Sequence, residues 1–277
     1  MASSMVSLST ISASESVAFG AVSSVASLAA FPFARTAAAL AAWRRNAIEA
    51  ARWAHPSSWA PALDVKPALM SASFDGLREA LASTSAGSLA ACSRALLRAA
   101  DVATPEFDSW RALDPAVLDA LPVDDGLRVL RLRALLTRRA EVRRLVDKRI
   151  RRRLAQWVGV PLERLSAASL HGTEHLSANA TDLARLVASG QLPPLEEIDE
   201  ERLACEGYTL IARDMHEAEQ SAMPARATSP CSLLRLALPR DMPPWPAGSV
   251  RELDVNGTAL LFARLPELLP EWAWLFG

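Results

Sequence analysis

Residues Arg128–Arg153, RVLRLRALLTRRAEVRRLVDKRIRRR, hold twelve arginines and lysines against two acids, Glu141 and Asp147. Between the charges runs an apolar stripe at helical spacing: Leu132, Leu135, Leu136, Val142, Leu145, Val146 and Ile150, continued by Leu154, Trp157 and Val158. Asp124-Asp125-Gly126 supplies a start signal, because acids suit the positive end of a helix. Gly159 and Pro161 supply the stop. The pattern predicts one helix of near thirty residues, a rod of about 45 Å at 1.5 Å per residue. It is the expected spine of the fold, with its arginines on the face opposite the stripe.

The same stretch sets the electrostatic question. The chain has 30 basic and 31 acidic residues, so 18 basic and 29 acidic residues lie outside the stretch. A segment of net +10 in a remainder of −11 implies a charge contact, within the chain or with a partner. Three readings stay open. The basic face is solvated and balanced locally, Glu141 by Arg138 and Arg144, and Asp147 by Arg143, Arg144 and Arg151, with help from the acids of 196–201. Alternatively it binds phosphate on nucleic acid or membrane, although a net charge of −1 and no aromatics among the charges argue against that. The third reading is an acidic protein partner, with Arg143, Arg144, Arg151 and Arg152 as the contact residues.

Outward from this segment the chain stays helical. Ala, Leu and Arg dominate a sequence that is 51% hydrophobic with a single Tyr, a composition that favours helix over sheet. Helices are expected over Thr36–Ala54, with Leu40, Trp43, Ala47, Ile48 and Ala51 on one face, and over Phe74–Ala82, Ser88–Ala100, Glu174–Ala188 and about 200–218. A shorter one falls between Pro105 and Pro122. The fold class is mainly α: an irregular multi-helix domain with a long central basic amphipathic helix. One small β-hairpin is expected at the C-terminal end, since Asn256-Gly257 separates the apolar runs Val250–Val255 and Thr258–Ala263.

The expected organisation is a Ser/Ala-rich, poorly ordered extension over 1–34, compatible with an over-called start, then a helical domain over 35–219. A linker over 220–230 leads to an α/β cap over 231–277 that packs on the domain. Trp272 and Trp274 end a segment too apolar to hang free. Three isolated cysteines without CxxC spacing support neither a disulfide framework nor a zinc site, and suit a reducing cytosol.

Catalytic signals are sparse. The sequence has no GxSxG, Walker A or GxGxxG. His171-Gly172-Thr173-Glu174-His175 has the letters of the inverted zinc-peptidase motif, in which His171 and His175 would ligate zinc and Glu174 act as base. Gly172 weakens that presentation, and exposed polar residues near a helix start are the ordinary reading. The expectation is a protein without catalytic activity or cofactor. His55-Pro56-Ser57-Ser58-Trp59-Ala60-Pro61 is a different kind of feature. Prolines on both sides of Trp59 fix a rigid aromatic loop, either a core plug or an interface anchor through His55, Pro56 and Trp59.

A first helix ending in this His-Pro-Ser-Ser-Trp-x-Pro loop, followed by Val129-Leu130-Arg131-Leu132-Arg133-Ala134-Leu135, Leu145-Val146-Asp147 and Leu154-Ala155-Gln156-Trp157-Val158-Gly159, resembles the SctK family of type III secretion proteins. That family includes YscK and the Hrp-type equivalent of plant-pathogen systems. The similarity covers roughly residues 36–165. The extra serine departs from the family's tighter His-Pro-Ser-Trp form. The resemblance implies a helical, non-enzymatic adaptor in the bacterial cytosol, peripheral to the inner membrane. It would join the inner-membrane ring (SctD-like) to the sorting-platform pods (SctQ-like). A secreted effector or translocator of the same machinery is the alternative that the uncharged, Ser-rich start suggests, and a zinc hydrolase the third.

Overall fold

The computed structural model describes residues 32–63, 74–110, 114–166, 173–221, 230–243, 246, 254 and 256–276. All regular structure among these residues is helical. The α-helices are α1 (Pro32–Trp53), α2 (Ala60–Leu63), α3 (Phe74–Ala82), α4 (Ala86–Ala99), α5 (Val123–Thr137) and α6 (Arg139–Arg144). After them come α7 (Lys148–Val158), α8 (Leu162–Ser166), α9 (Thr173–Ala188), α10 (Glu200–Ser221), α11 (Gly257–Leu268) and α12 (Ala273–Phe276). Short 3₁₀ turns at Pro56–Trp59, Phe107–Trp110, Pro115–Ala120, Leu234–Ala237 and Pro270–Trp272 connect them.

The expected single rod is three helices. Arg138 leaves helical geometry at φ −87°, ψ 17° and separates α5 from α6. Leu145 and Asp147 are extended, and the Asp147 carboxylate accepts the Arg149 N–H at 2.7 Å as the N-cap of α7. The local chemistry explains the second break: Asp at a cap position competes with helix continuation, and a restart from Asp147 satisfies an otherwise orphaned N–H. Val146, placed on the apolar stripe by spacing, is instead 89% exposed at this elbow. The C-terminal stop behaves as expected, with Gly159 in the left-handed region at φ 68°.

α5 is the spine, and it is buried on all sides from Val129 to Arg138. α10 runs against it at very close range. A Cβ on Gly207 would lie 1.7 Å from the Leu130 carbonyl oxygen, so only glycine permits this approach. α1 packs against α4 and the Pro115–Ala120 turn through a small-residue face of Ala39, Ala42, Ala47, Ala50, Ala51 and Ala54 around Trp43. This corrects the predicted face, because Ile48 points outward while Ala50 is buried.

Asn256-Gly257 does not make a hairpin. Gly257 opens helix α11, whose Leu261, Phe262, Leu265 and Leu268 are buried at helical spacing. Most of the run Val250–Val255 lies outside the described residues. The C-terminal elements join the main core: Cys231, Leu233, Leu236, Phe262, Leu265 and Phe276 belong to the same cluster as Leu130 and Leu135. A small separate cluster of Leu183, Leu186 and Leu192 lies under α9.

Candidate functional site

The basic segment divides into a buried half and an exposed half, and the two do different work. In the buried half, Arg133 is 0% exposed on α5. Its Nε donates to Thr258 Oγ1 at 3.0 Å, and Nη1 donates to Thr137 Oγ1 at 2.6 Å and Asp254 Oδ2 at 2.8 Å. Nη2 donates to Asp214 Oδ2 at 2.8 Å and to the Asp254 carbonyl at 3.2 Å. All five guanidinium N–H groups are therefore matched. Asp214 also accepts the Thr258 N–H at 3.2 Å and its hydroxyl, which fixes the start of α11. Arg133 thus ties the spine to α10 and α11 at once.

Arg138, also 0% exposed, forms a two-pronged pair with Glu206 of α10 at 2.9 and 2.8 Å. Its Nη1 donates to Glu141 at 3.0 Å and the Pro193 carbonyl at 2.9 Å, while Glu141 accepts the Leu195 N–H at 2.6 Å. Arg131 reaches Glu200 at 2.9 Å and the Trp157 carbonyl at 3.1 Å. Of the compensation foreseen from the 196–201 acids, Glu200 supplies the carboxylate, and Glu196 contributes only its carbonyl, to Arg153 at 2.9 Å.

The His55–Pro61 loop is an internal clip. The His55 N–H and the Ser58 hydroxyl both donate to the Leu236 carbonyl, at 2.7 and 3.0 Å, and Ser57 Oγ accepts the Arg240 N–H at 2.7 Å. His55 Nδ1 caps the 3₁₀ turn by accepting the Ser57 N–H at 3.1 Å, with Pro56 at the first position. Ser57 Oγ lies 2.7 Å from His55 Nδ1, and His55 Nε2 lies 3.5 Å from Glu201. The backbone of His55 and the side chains of Ser57 and Ser58 fasten the end of α1 to the segment around 236–240, while the His55 ring reaches Glu201 of α10. Trp59 is 4% exposed and plugs the core.

At the C-terminal end, Trp272 and Trp274 are half-buried, with ring centroids 6.4 Å apart. Trp272 Nε1 donates to Asp125 at 3.0 Å, which ties this end of the chain to the N-terminal end of α5. His171 lies outside the described residues. Glu174 and His175 fall in the first turn of α9. Among the described residues no His/Cys/Asp/Glu group is arranged to hold a metal. Burial raises the thiol of Cys205 to about 11 and pushes that of Cys231 well up, so both stay protonated at neutral pH.

The exposed half begins at the elbow. Arg143, Arg144, Lys148, Arg149 and Arg152 are exposed around the protruding Val146, while Arg151 is paired with Glu163. Four cations in the first turns of α7 oppose the helix dipole, which costs about 0.3–1 kcal/mol each at a surface. Lys148, Arg152, Ala155, Gln156 and Gly159 line one face of α7 at helical spacing. That face leads into an open groove of about 510 Å³ between α7 and α8, bounded by Arg151, Arg152, Ala155, Gln156, Gly159, Val160, Pro161, Leu162 and Glu163.

A family model described as bacterial type III secretion protein (HrpB4) matches residues 30–271. The chain belongs to the HrpB4 family. The match spans the clip, the spine and the groove. It meets the resemblance drawn from the His55–Pro61 loop and the basic segment at the level of a type III secretion protein. No curated protein and no solved structure matches the chain.

Within this HrpB4-family chain, three important residues escaped the sequence reading. Asp214 and Asp254 had no local signal, since they pair with Arg133 across 81 and 121 residues. Asp119 is buried and accepts the Leu233 and Leu234 N–H groups at 3.1 and 2.7 Å, stitching the Pro115–Ala120 turn to the segment after residue 230. Burial raises its carboxyl from 3.8 to about 7. Among the described residues no helix is long and apolar enough to cross a membrane.

Proposed function

We propose that this HrpB4-family protein is a non-enzymatic adaptor of a type III secretion sorting platform. It joins the inner-membrane ring, through an SctD-like component, to the cytoplasmic pods, through an SctQ-like component. It works in the bacterial cytosol, peripheral to the secretion apparatus, and needs neither cofactor nor small-molecule substrate. The observation that carries this reading is the division of the basic segment. Arg131, Arg133 and Arg138 are matched by internal acids and make a rigid scaffold, whereas Arg144, Lys148, Arg149 and Arg152 stay at the surface, Arg152 at the rim of a groove. A scaffold with a fixed shape and an unneutralised charged face suits docking.

The test is affinity purification of the tagged protein from its native cell, with identification of what is recovered. Co-purification of both an inner-membrane ring component and a pod component is the expected result. Recovery of neither contradicts the adaptor role. Deleting residues 1–30 separates the secreted-effector alternative: an effector loses export, and an adaptor keeps supporting secretion. Zinc well below one ion per purified chain removes the hydrolase reading of His171, Glu174 and His175.

A further inference from the structure

From the groove between α7 and α8 we infer that this chain holds an acidic peptide segment of a partner protein, with one apolar side chain seated in the groove and carboxylates on Arg152, Arg149 and Lys148. The inference rests on the adaptor reading and names the chemistry of what docks. The groove floor is apolar, formed by Ala155, Val160 and Leu162. One wall is electrically closed, because the Glu163 carboxylate is already paired with Arg151. The opposite rim carries the exposed Arg152, which has no carboxylate partner among the described residues, and Lys148 and Arg149 extend the same positive edge towards the exposed Val146.

Charge complementarity selects the occupant. Among the described residues no carboxylate pairs with Lys148, Arg149 or Arg152, and Asp147 at the start of α7 accepts the Arg149 backbone N–H as its cap. The remaining positive charge therefore faces outward and favours a negatively charged partner at the rim. The open groove of about 510 Å³ beside it, with Ala155, Val160 and Leu162 in its lining, has room for a leucine- or phenylalanine-sized side chain. A flat membrane surface would leave the slot empty and offers only Val146 as an apolar contact. A nucleic acid would use the charges but not the apolar floor.

The experiment is a fluorescence-anisotropy titration of the full chain with a labelled dodecapeptide of glutamates around one central leucine. Saturable binding is expected. It should weaken about tenfold or more with Arg152→Glu, with Ala155→Trp, which fills the groove, and with a probe whose leucine is replaced by serine. Both protein variants change surface or half-buried positions, and unchanged far-UV circular dichroism verifies that they fold. No saturable binding to the wild-type chain overturns the inference. So does binding that survives both variants, or tighter binding to phosphatidylglycerol vesicles or duplex DNA than to the peptide. Failure here, with the ring and pod components still recovered from cells, removes the groove and leaves the adaptor reading standing.

Discussion

A guanidinium taken out of water needs an acceptor for each of its five N–H groups, and Arg133 has them from Thr137, Asp214, Thr258 and Asp254. Removing it leaves the buried Asp254 carboxylate without its guanidinium partner and Asp214 with Arg213 alone. Arg133→Ala is therefore expected to cost about 3–5 kcal/mol, read as a large fall in the chemical-denaturation midpoint. Arg152→Glu, at an exposed site, should stay within about 0.5 kcal/mol of wild type. Equal losses from the two would contradict the division between buried and exposed arginines. Asp119 gives a pH prediction. Its carboxyl is raised by burial to about 7, against the opposite pull of two backbone N–H donors, so the folded state keeps a proton that the unfolded chain releases near 3.8. The stabilisation from this group is fully present below its unfolded pKa and is lost as pH rises through the folded one. Between about pH 4 and pH 7 wild-type stability should decline relative to Asp119→Asn, measured by urea denaturation across that window. Parallel pH profiles for the two proteins would exclude the effect.

At the scale of elements, the sequence already carried much of what forms. Phe74–Ala82 has the predicted limits, Gly190 closes α9 with φ 71°, and Gly159 closes α7. These are local signals, set by backbone conformation at one or two residues. The two breaks in the spine were harder to see, because an amphipathic stripe continues through them and periodicity alone cannot register a cap. Asp147-Lys148 was the readable clue at the second break. Asp147→Ala should cost about 1 kcal/mol and loosen the elbow, seen as faster amide exchange in the first turn of α7. Asn256-Gly257 misled because the run after it keeps helical spacing at Leu261, Phe262 and Leu265, and the start of α11 is fixed by the distant Asp214 through Thr258, with no capping bond from the Asn256 side chain. The contact of α10 with α5 depends on one absent methyl group. Gly207→Ala should lower stability by roughly 3 kcal/mol or more, since the clash falls on the Leu130 backbone and no side chain can yield. A thermal midpoint close to wild type would contradict that close packing.

For the whole molecule, the charge imbalance in the sequence pointed to a contact, and part of it is internal, through Arg128, Arg131, Arg133, Arg138 and Arg151. Spacing could not reveal this, because it assigns every arginine of an amphipathic helix to solvent. Arg131, Arg133 and Arg138 are buried because α10, α11 and the loop around Pro193 close over the polar side of the spine. The same closure makes Trp59 a plug, the first of the two readings its loop allowed, and His55 and Ser57 a clip that holds α1 to the segment after residue 230. The proposed docking surface is the exposed basic edge of α6 and α7. The most direct measurement compares partner recovery from native cells by the wild-type chain and by the quadruple variant Arg143→Glu, Arg144→Glu, Arg149→Glu and Arg152→Glu. This variant should keep wild-type helical content while losing the secretion components that co-purify with wild type. A folded variant that recovers those components in full would contradict it.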